Sequence, residues 1–337
     1  MKEKNNMYIY FCKINIKRMR LLVTGGYGFI GSHFVNSYFN NTSLLVNLDA
    51  KYYCANEENV KKEIRENEKY MFVHGNCSNS ELVRNILVQY QITHIIHFAA
   101  QSHVQNSFQE SLQYTSDNIV GTHVLLECSR NYGKISKFVH VSTDEVYGES
   151  LLDAHETHKT EQSILCPTNP YAATKAGAEL IAQSYQHSYQ MPIIITRGNN
   201  VYGSNQYPEK LIPRFIEQLC DNKKVTIQGD GSCVRAFLHV TDTVHAYIKV
   251  LEKGEIGEIY NIGCDKNMEY SVLDVAKLLI EKIQKTKDYD KWISYIEDRP
   301  FNDKRYYISN DKIKKLGWSV DIPFEKGIDM ILMNKTN

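Results

Sequence analysis

The sequence predicts an α/β protein, a doubly wound parallel sheet with a smaller C-terminal α/β lobe, and three observations carry that expectation. From Met19 onward, short β-branched or aliphatic runs alternate with longer amphipathic stretches. A glycine-rich turn follows the first of these runs, between residues 25 and 31. Beyond Thr196 the rhythm loosens, with Pro208, Pro213, Gly229 and Gly231 interrupting it. The chain has 337 residues, 42% hydrophobic and 23% charged, enough for a large core and two lobes. A formal net charge of +0 gives no basic footprint for nucleic acid, so a small molecule is the default partner.

The strand candidates lie near residues 21–24, 44–48, 71–73, 94–97, 137–141 and 192–196, with helical patterns at 80–90, 121–132 and 172–189. Strands separated by helices favour parallel pairing through right-handed crossovers. The expected organisation is an extension of unknown role over 1–18, a dinucleotide-binding sheet domain over 19–200, and a substrate lobe over 201–337. Some later segments are expected to return to the first domain. The apolar run Met7 to Cys12 is too short for a signal peptide or a membrane span. Eight cysteines without CxxC spacing read as reduced thiols, which points to the cytoplasm and away from a disulfide framework or zinc site. His94 and His97 stand at odd spacing on one strand and face opposite sides of it, so no metal is expected there. The 23 tyrosines are dispersed and form no stacking platform.

The glycine turn reads Gly25, Gly26, Tyr27, Gly28, Phe29, Ile30, Gly31 and opens a helix. Glycines at 25, 28 and 31 allow a tight turn, close approach to a pyrophosphate, and close packing of helix on strand. Asp49 ends the second strand roughly 20 residues further on, where an acid can bind the adenosine ribose hydroxyls. That acid favours NAD over NADP, since a 2′-phosphate would face its charge; Lys51 pulls the other way. A glycine turn in a protein that binds no nucleotide is the competing reading.

Two further groupings carry chemistry. In VSTDEVYG, Thr143 is followed directly by Asp144 and Glu145. Two carboxylates can serve as general acid and general base when their surroundings separate the pKa values, and removal of water needs both roles. Tyr171 and Lys175 stand one helical turn apart on one face, where a cation stabilises a phenolate. Either grouping alone is also compatible with an ordinary solvated surface.

Taken together, these residues resemble the short-chain dehydrogenase/reductase superfamily, whose active site holds a Ser or Thr, a Tyr and a Lys. The chain length resembles its extended branch, and the sheet is then of the Rossmann type. Within that branch, LLVTGGYGFIGSH, HFAAQSHVQNS, NIVGTHVLLE, VSTDEVYG, PTNPYAATKAGAE, TRGNNVYG, YPEKLIPRFI, GDGSCVRAFLHV, YNIG and DRPFNDKRYYIS look like landmarks of the nucleotide-sugar 4,6-dehydratases. This resemblance covers the chain from Met19 to its end. It implies catalysis by Thr143, Asp144, Glu145, Tyr171 and Lys175. It implies NAD held by Gly25, Gly28, Phe29, Ile30, Gly31, Asp49, Asn76 and Ala99 with Tyr171 and Lys175. It implies a nucleotide-diphosphate glucose held by Ser102, His103, Asn200, Glu209, Lys210, Leu211, Arg235, Asn261, Arg299 and Asn302.

Two positions depart from the family pattern: Asn76 stands where Asp usually lies beside the adenine, and Gln105 where Asp is usual. Gln101, TRGNNVYG and Asn302 are similar to the dehydratase part of plant UDP-rhamnose synthases. UDP-glucose is therefore the expected substrate, with dTDP-glucose as the alternative. The implied cycle removes the 4-hydroxyl proton through Tyr171 as C4 gives hydride to NAD, then eliminates water across C5 and C6 through Glu145 and Asp144, and returns hydride to C6. Sugar epimerases of this branch usually lack the Asp-Glu pair, so epimerisation is disfavoured. A catalytically silent NAD-binding regulator would have no need of Thr143, Tyr171 and Lys175. The superfamily also implies a homodimer packed through the helix that follows Tyr171.

Overall fold

The computed structural model describes residues 19–150, 157–265, 268–298 and 303–335. The extension over 1–18 and two of the expected substrate residues, Arg299 and Asn302, lie outside the described residues.

Among the described residues, seven parallel strands form the main sheet. They are β1 (Arg20–Thr24), β2 (Leu44–Asp49), β3 (Tyr70–His74), β4 (His94–His97), β5 (Lys137–Thr143), β6 (Ile193–Gly198) and β10 (Ile259–Ile262), in the order β10-β6-β5-β4-β1-β2-β3. The runs read as strands from the sequence all lie in this sheet. They are nearly continuous apolar runs because both of their faces are covered. On β1, Leu21 and Val23 enter one core with Phe34, Val139 and Val244, while Leu22 enters the opposite core with Val46, Ile86, Leu125 and Phe138.

The helices α1 (Phe29–Tyr38), α2 (Ser80–Gln89), α3 (Gly121–Tyr132) and α4 (Pro170–Tyr189) connect these strands. α2 and α3 pack together on the second core's face. α1 packs on the other face against α6 (Val240–Lys253), which comes from far later in the chain. Asn169 starts α4: its Oδ1 accepts from Ala172 N at 2.9 Å, and Pro170 fills the first position, where the missing N–H costs nothing.

The remaining described strands form two small sheets. The first joins β7 (Asn200–Tyr202), β9 (Val234–His239) and β11 (Glu269–Ser271). The second pairs β8 (Val225–Gln228) with β12 (Ile293–Ile296), flanked by α5 (Leu211–Cys220) and α7 (Val272–Gln284). Thus α6 and β10 belong physically to the main sheet although they follow residue 200. The strand order reverses between β1 and β4. Ligands of such sheets bind at that switch point, outside the carboxyl ends of the strands.

Candidate active site

A cavity of about 310 Å³ opens at that switch point, walled by the ends of β1, β2, β4, β5 and β6 and by residues 198–210. At one end stands the glycine turn. Gly25 has φ +72°, and a Cβ there would lie 2.8 Å from Ala99 N; a Cβ on Gly31 would lie 2.2 Å from the Gly25 carbonyl oxygen. Only glycine permits this close crossing of strand, turn and helix. No side chain caps the start of α1, so its first N–H groups remain available to an anion. Asp49, buried at the end of β2, accepts from Tyr27 N at 2.9 Å and from Lys51 N at 2.8 Å while still lining the cavity. These residues fit a dinucleotide. Gly25, Gly28, Phe29, Ile30, Gly31, Asp49, Asn76 and Ala99 all face the cavity.

The Asn76 departure has a local counterpart. Asn76 Nδ2 donates to Asp117 Oδ1 at 2.8 Å, and Asp117 also accepts from Tyr52 Oη, Gln101 Nε2 and Gln113 Nε2. The negative charge absent at residue 76 therefore stands beside it, on the segment before α3.

Thr143 ends β5, and the next four residues form a 3-10 turn whose N–H of Glu145 donates to Thr143 Oγ1 at 3.3 Å. This turn sends the two carboxylates into different surroundings. Asp144 is 2% exposed; it accepts from Thr143 Oγ1 at 3.2 Å and from Asn199 Nδ2 at 2.5 Å. Burial, followed by the charge of Glu145, pushes its carboxyl up to about 7. Glu145 accepts from Asn169 Nδ2 at 3.1 Å and lies 3.3 Å from the Tyr306 hydroxyl. Burial raises its carboxyl too, against the Asn169 hydrogen bond and the charges of Arg235 and Lys210. Asp144 is thus suited to hold a proton, and Glu145 has donors that stabilise its anion.

Tyr171 and Lys175 face the same cavity from α4. Lys175 Nζ donates to the Val141 carbonyl at 2.6 Å, and burial brings its ammonium down to about 8. The sequence reading has Lys175 lowering the Tyr171 pKa. The structure adds two opposing influences, since burial and then the Glu145 charge push the phenol above its ordinary value, with Thr143 drawing it back. Behind Lys175, His97 bridges Thr24 Oγ1 at 2.7 Å and Thr122 Oγ1 at 3.0 Å, and burial holds both His97 and His140 neutral.

Of the described residues expected to hold substrate, Ser102, Asn200, Glu209 and Lys210 line the cavity. Lys210 Nζ donates to Ser102 O at 2.9 Å, and Tyr53 Oη donates to Glu209 Oε1 at 2.9 Å. His103 stands behind Glu209, 3.6 Å from its carboxylate. Leu211 packs on the core at the start of α5. Arg235 sits over the Tyr306 ring, 5.2 Å from its centre, with its charge felt by both acids. Asn261 is not brought to the cavity: it is fully buried on β10, accepting from Tyr147 Oη at 2.8 Å and donating to Lys159 O at 3.2 Å.

Sequence reasoning passed over four residues that hold the acid pair. Asn199 grips Asp144 and Asn169 grips Glu145, while Tyr306 is 2.5 Å from buried Asp303 and within reach of Glu145. Asn169 was accessible as an N-cap before Pro170. The others had no local signal.

The family model described as GDP-mannose 4,6 dehydratase matches residues 22–331. A dTDP-D-glucose 4,6-dehydratase of Dictyostelium discoideum is 44% identical, over 92% of this chain and 80% of that protein. A trifunctional UDP-glucose 4,6-dehydratase, epimerase and reductase of Arabidopsis thaliana is 46% identical over 93% of this chain, but the chain spans only 46% of it. The crystal structure of the dTDP-glucose 4,6-dehydratase DesIV from Streptomyces venezuelae, with NAD bound, superposes with a TM-score of 0.88 at 36% identity, covering 95% of this chain and 98% of that one. These values single out neither the plant proteins, to which the sequence pointed, nor the dTDP-glucose dehydratases. Among the described residues, no helix is long and apolar enough to cross a membrane.

Proposed function

Because this chain belongs to the GDP-mannose 4,6-dehydratase family, a family of nucleotide-sugar 4,6-dehydratases within the extended short-chain dehydrogenase/reductase superfamily, we propose that it is an NAD-dependent hydro-lyase converting dTDP-glucose to dTDP-4-keto-6-deoxyglucose. The observation that carries the reaction is the divided acid pair, Asp144 with a pKa near neutrality and Glu145 beside its donors, in one cavity with Tyr171 and Lys175. An epimerase needs no such pair.

NAD, which the glycine turn and Asp49 would hold, would supply reversible hydride acceptance, so that the hydride lost from C4 of the sugar could return at C6. The chain supplies every proton transfer. Tyr171 takes the 4-hydroxyl proton, and the positive charge of Lys175 favours the phenolate that accepts it. The 4-ketone acidifies the C5 proton, which passes to Glu145. Asp144, protonated, donates to the departing 6-hydroxyl, and water leaves. Proton return from Glu145 to C5 completes the hydride transfer to C6. Burial of Asp144 keeps bulk water from taking its place as proton donor.

The full-length likeness to dTDP-glucose dehydratases supports the thymidine nucleotide over the UDP-glucose expected from the sequence. UDP-glucose stays as a second reading on the 46% identity to the plant dehydratase segment. Competition between the two substrates tests the choice, with kcat/KM for dTDP-glucose expected to be higher. A tenfold preference requires only about 1.4 kcal/mol of differential transition-state binding. We also take the enzyme to be a homodimer joined through α4, whose Leu180 and Tyr189 are 55% and 53% exposed. Sedimentation of the parent and of Leu180→Glu tests that pairing.

A further inference from the structure

Beneath the catalytic face of α4 lies a buried charged node outside the chemistry described above. Glu179 is one helical turn beyond Lys175 on the same face and fully buried. Arg197 on β6, 2% exposed, clamps it: Nε lies 3.1 and 3.2 Å from the two carboxylate oxygens and Nη2 lies 2.5 Å from Oε1. Gln183 Nε2 adds a donor at 2.9 Å. The other guanidinium nitrogen, Nη1, donates to Tyr147 Oη at 2.6 Å, and Arg197 stacks on that ring at 4.6 Å. Tyr147 closes the 3-10 turn that carries Asp144 and Glu145 and donates onward to Asn261.

We propose that Glu179, fixed by Arg197, is a positioning residue for the oxidation step: its carboxylate, one helical turn from Lys175 in a dry helix–sheet interface, keeps the lysine charged and so sustains the Tyr171 base. The inference rests on the function proposed above. A buried ion pair is weak evidence for stability, since apolar replacements are often neutral or better. A pair retained here has a specific beneficiary, the ammonium one turn away. Burial pulls Lys175 down to about 8, and the Glu179 charge acts against that pull.

The other charged and titratable groups around Lys175 do not substitute for Glu179. His97 from β4 and His140 from β5 are neutral. Asp144 and Glu145 at the end of β5, with Tyr247 of α6, face Tyr171 and raise its pKa. Arg197 from β6 is itself positive. Removing Glu179 therefore leaves burial unopposed and lowers the lysine pKa.

The test is single-turnover formation of NADH absorbance, in the holoenzyme with dTDP-glucose or UDP-glucose, as a function of pH. In Glu179→Gln the alkaline limb of this step moves down by about one pH unit, the size of a shift that one buried neighbouring charge produces. Glu179→Asp, which keeps the charge, restores the limb. Glu179→Gln/Arg197→Gln, which leaves no unpaired guanidinium, shows a smaller downward shift, because loss of the Arg197 charge acts in the opposite direction, and stands in for the single change if that one unfolds. A limb that stays in place while the rate falls equally at every pH overturns the inference and leaves a purely structural ion pair. The Lys175 titration, followed by NMR of ¹³Cε-lysine and assigned with Lys175→Met, needs no substrate. It reads the same shift even if neither sugar nucleotide reacts, which would sink the functional reading alone. An unchanged lysine titration sinks the positioning role.

Discussion

Asn199 Nδ2 donates to Asp144 Oδ2 at 2.5 Å, while the chain-adjacent Glu145 accepts from a different residue, Asn169, at 3.1 Å. Two neighbouring acids thereby acquire separate partners, and the proton can belong to one of them. Their division of labour is measurable.

Glu145→Gln slows elimination of water far more than C4 oxidation. Loss of one positioned acid–base group typically costs about 10²- to 10⁴-fold. NADH and the oxidised sugar therefore accumulate on the variant enzyme in single-turnover measurements. Equal elimination rates in variant and parent would remove Glu145 from the role of base.

Asp144 gives a pH dependence with a defined sign. Its carboxyl rises from 3.8 unfolded to about 7 folded, so between those values the native state binds more protons than the unfolded state. Stability is therefore greatest below about pH 4 with respect to this group and declines as pH rises through about 7. Asp144→Asn removes that decline: thermal melts should show a Tm above the parent's at pH 8, by about 1–3 °C for a chain of this size, and a smaller difference at pH 4. The same substitution slows elimination, since the amide cannot protonate the leaving hydroxyl.

Asn169 serves two masters, the start of α4 and Glu145. Asn169→Ala loses an N-cap worth about 1 kcal/mol and also raises the Glu145 pKa, moving the acidic limb of the elimination step to higher pH. Asn169→Asp keeps a cap but faces Glu145 with a like charge, so the limb moves up while the cap is retained. Should the limb stay fixed in both variants, Asn169 acts on the helix alone.

The proposed cycle predicts an isotope pattern. Substrate deuterated at C4 gives product deuterated at C6 of the same molecule, and in heavy water unlabelled substrate gains deuterium at C5, because the proton on Glu145 exchanges with solvent before it returns. Extensive crossover between labelled and unlabelled molecules would show that NADH leaves during turnover. An epimerase would return the label to C4.

The sequence by itself determined six of the seven strands of the main sheet and the glycine turn and acid that line one end of the cavity, but not β10. Apolar runs buried on two faces, a glycine turn that tolerates no Cβ, and an acid at the end of the second strand are local patterns, each set within a few residues. That Thr143, Asp144, Glu145, Tyr171 and Lys175 share one cavity was legible for the same reason, since Thr143 to Glu145 are contiguous and Tyr171 and Lys175 are one helical turn apart.

What the tertiary structure alone decided is which distant side chains meet those five. Tyr306 reaches Glu145 across 161 residues of sequence, Asn199 reaches Asp144 across 55, and Asn261 turns into the core toward Tyr147 although it was expected at the substrate. The direction of the Tyr171 shift was likewise undecidable from the helix, because i, i+4 spacing brings Lys175 near but says nothing of the burial of the phenol or of the Glu145 charge arriving from a strand end. Periodicity fixes which face of an element is buried; the pKa of a group on that face depends on burial and on charges set by long-range packing.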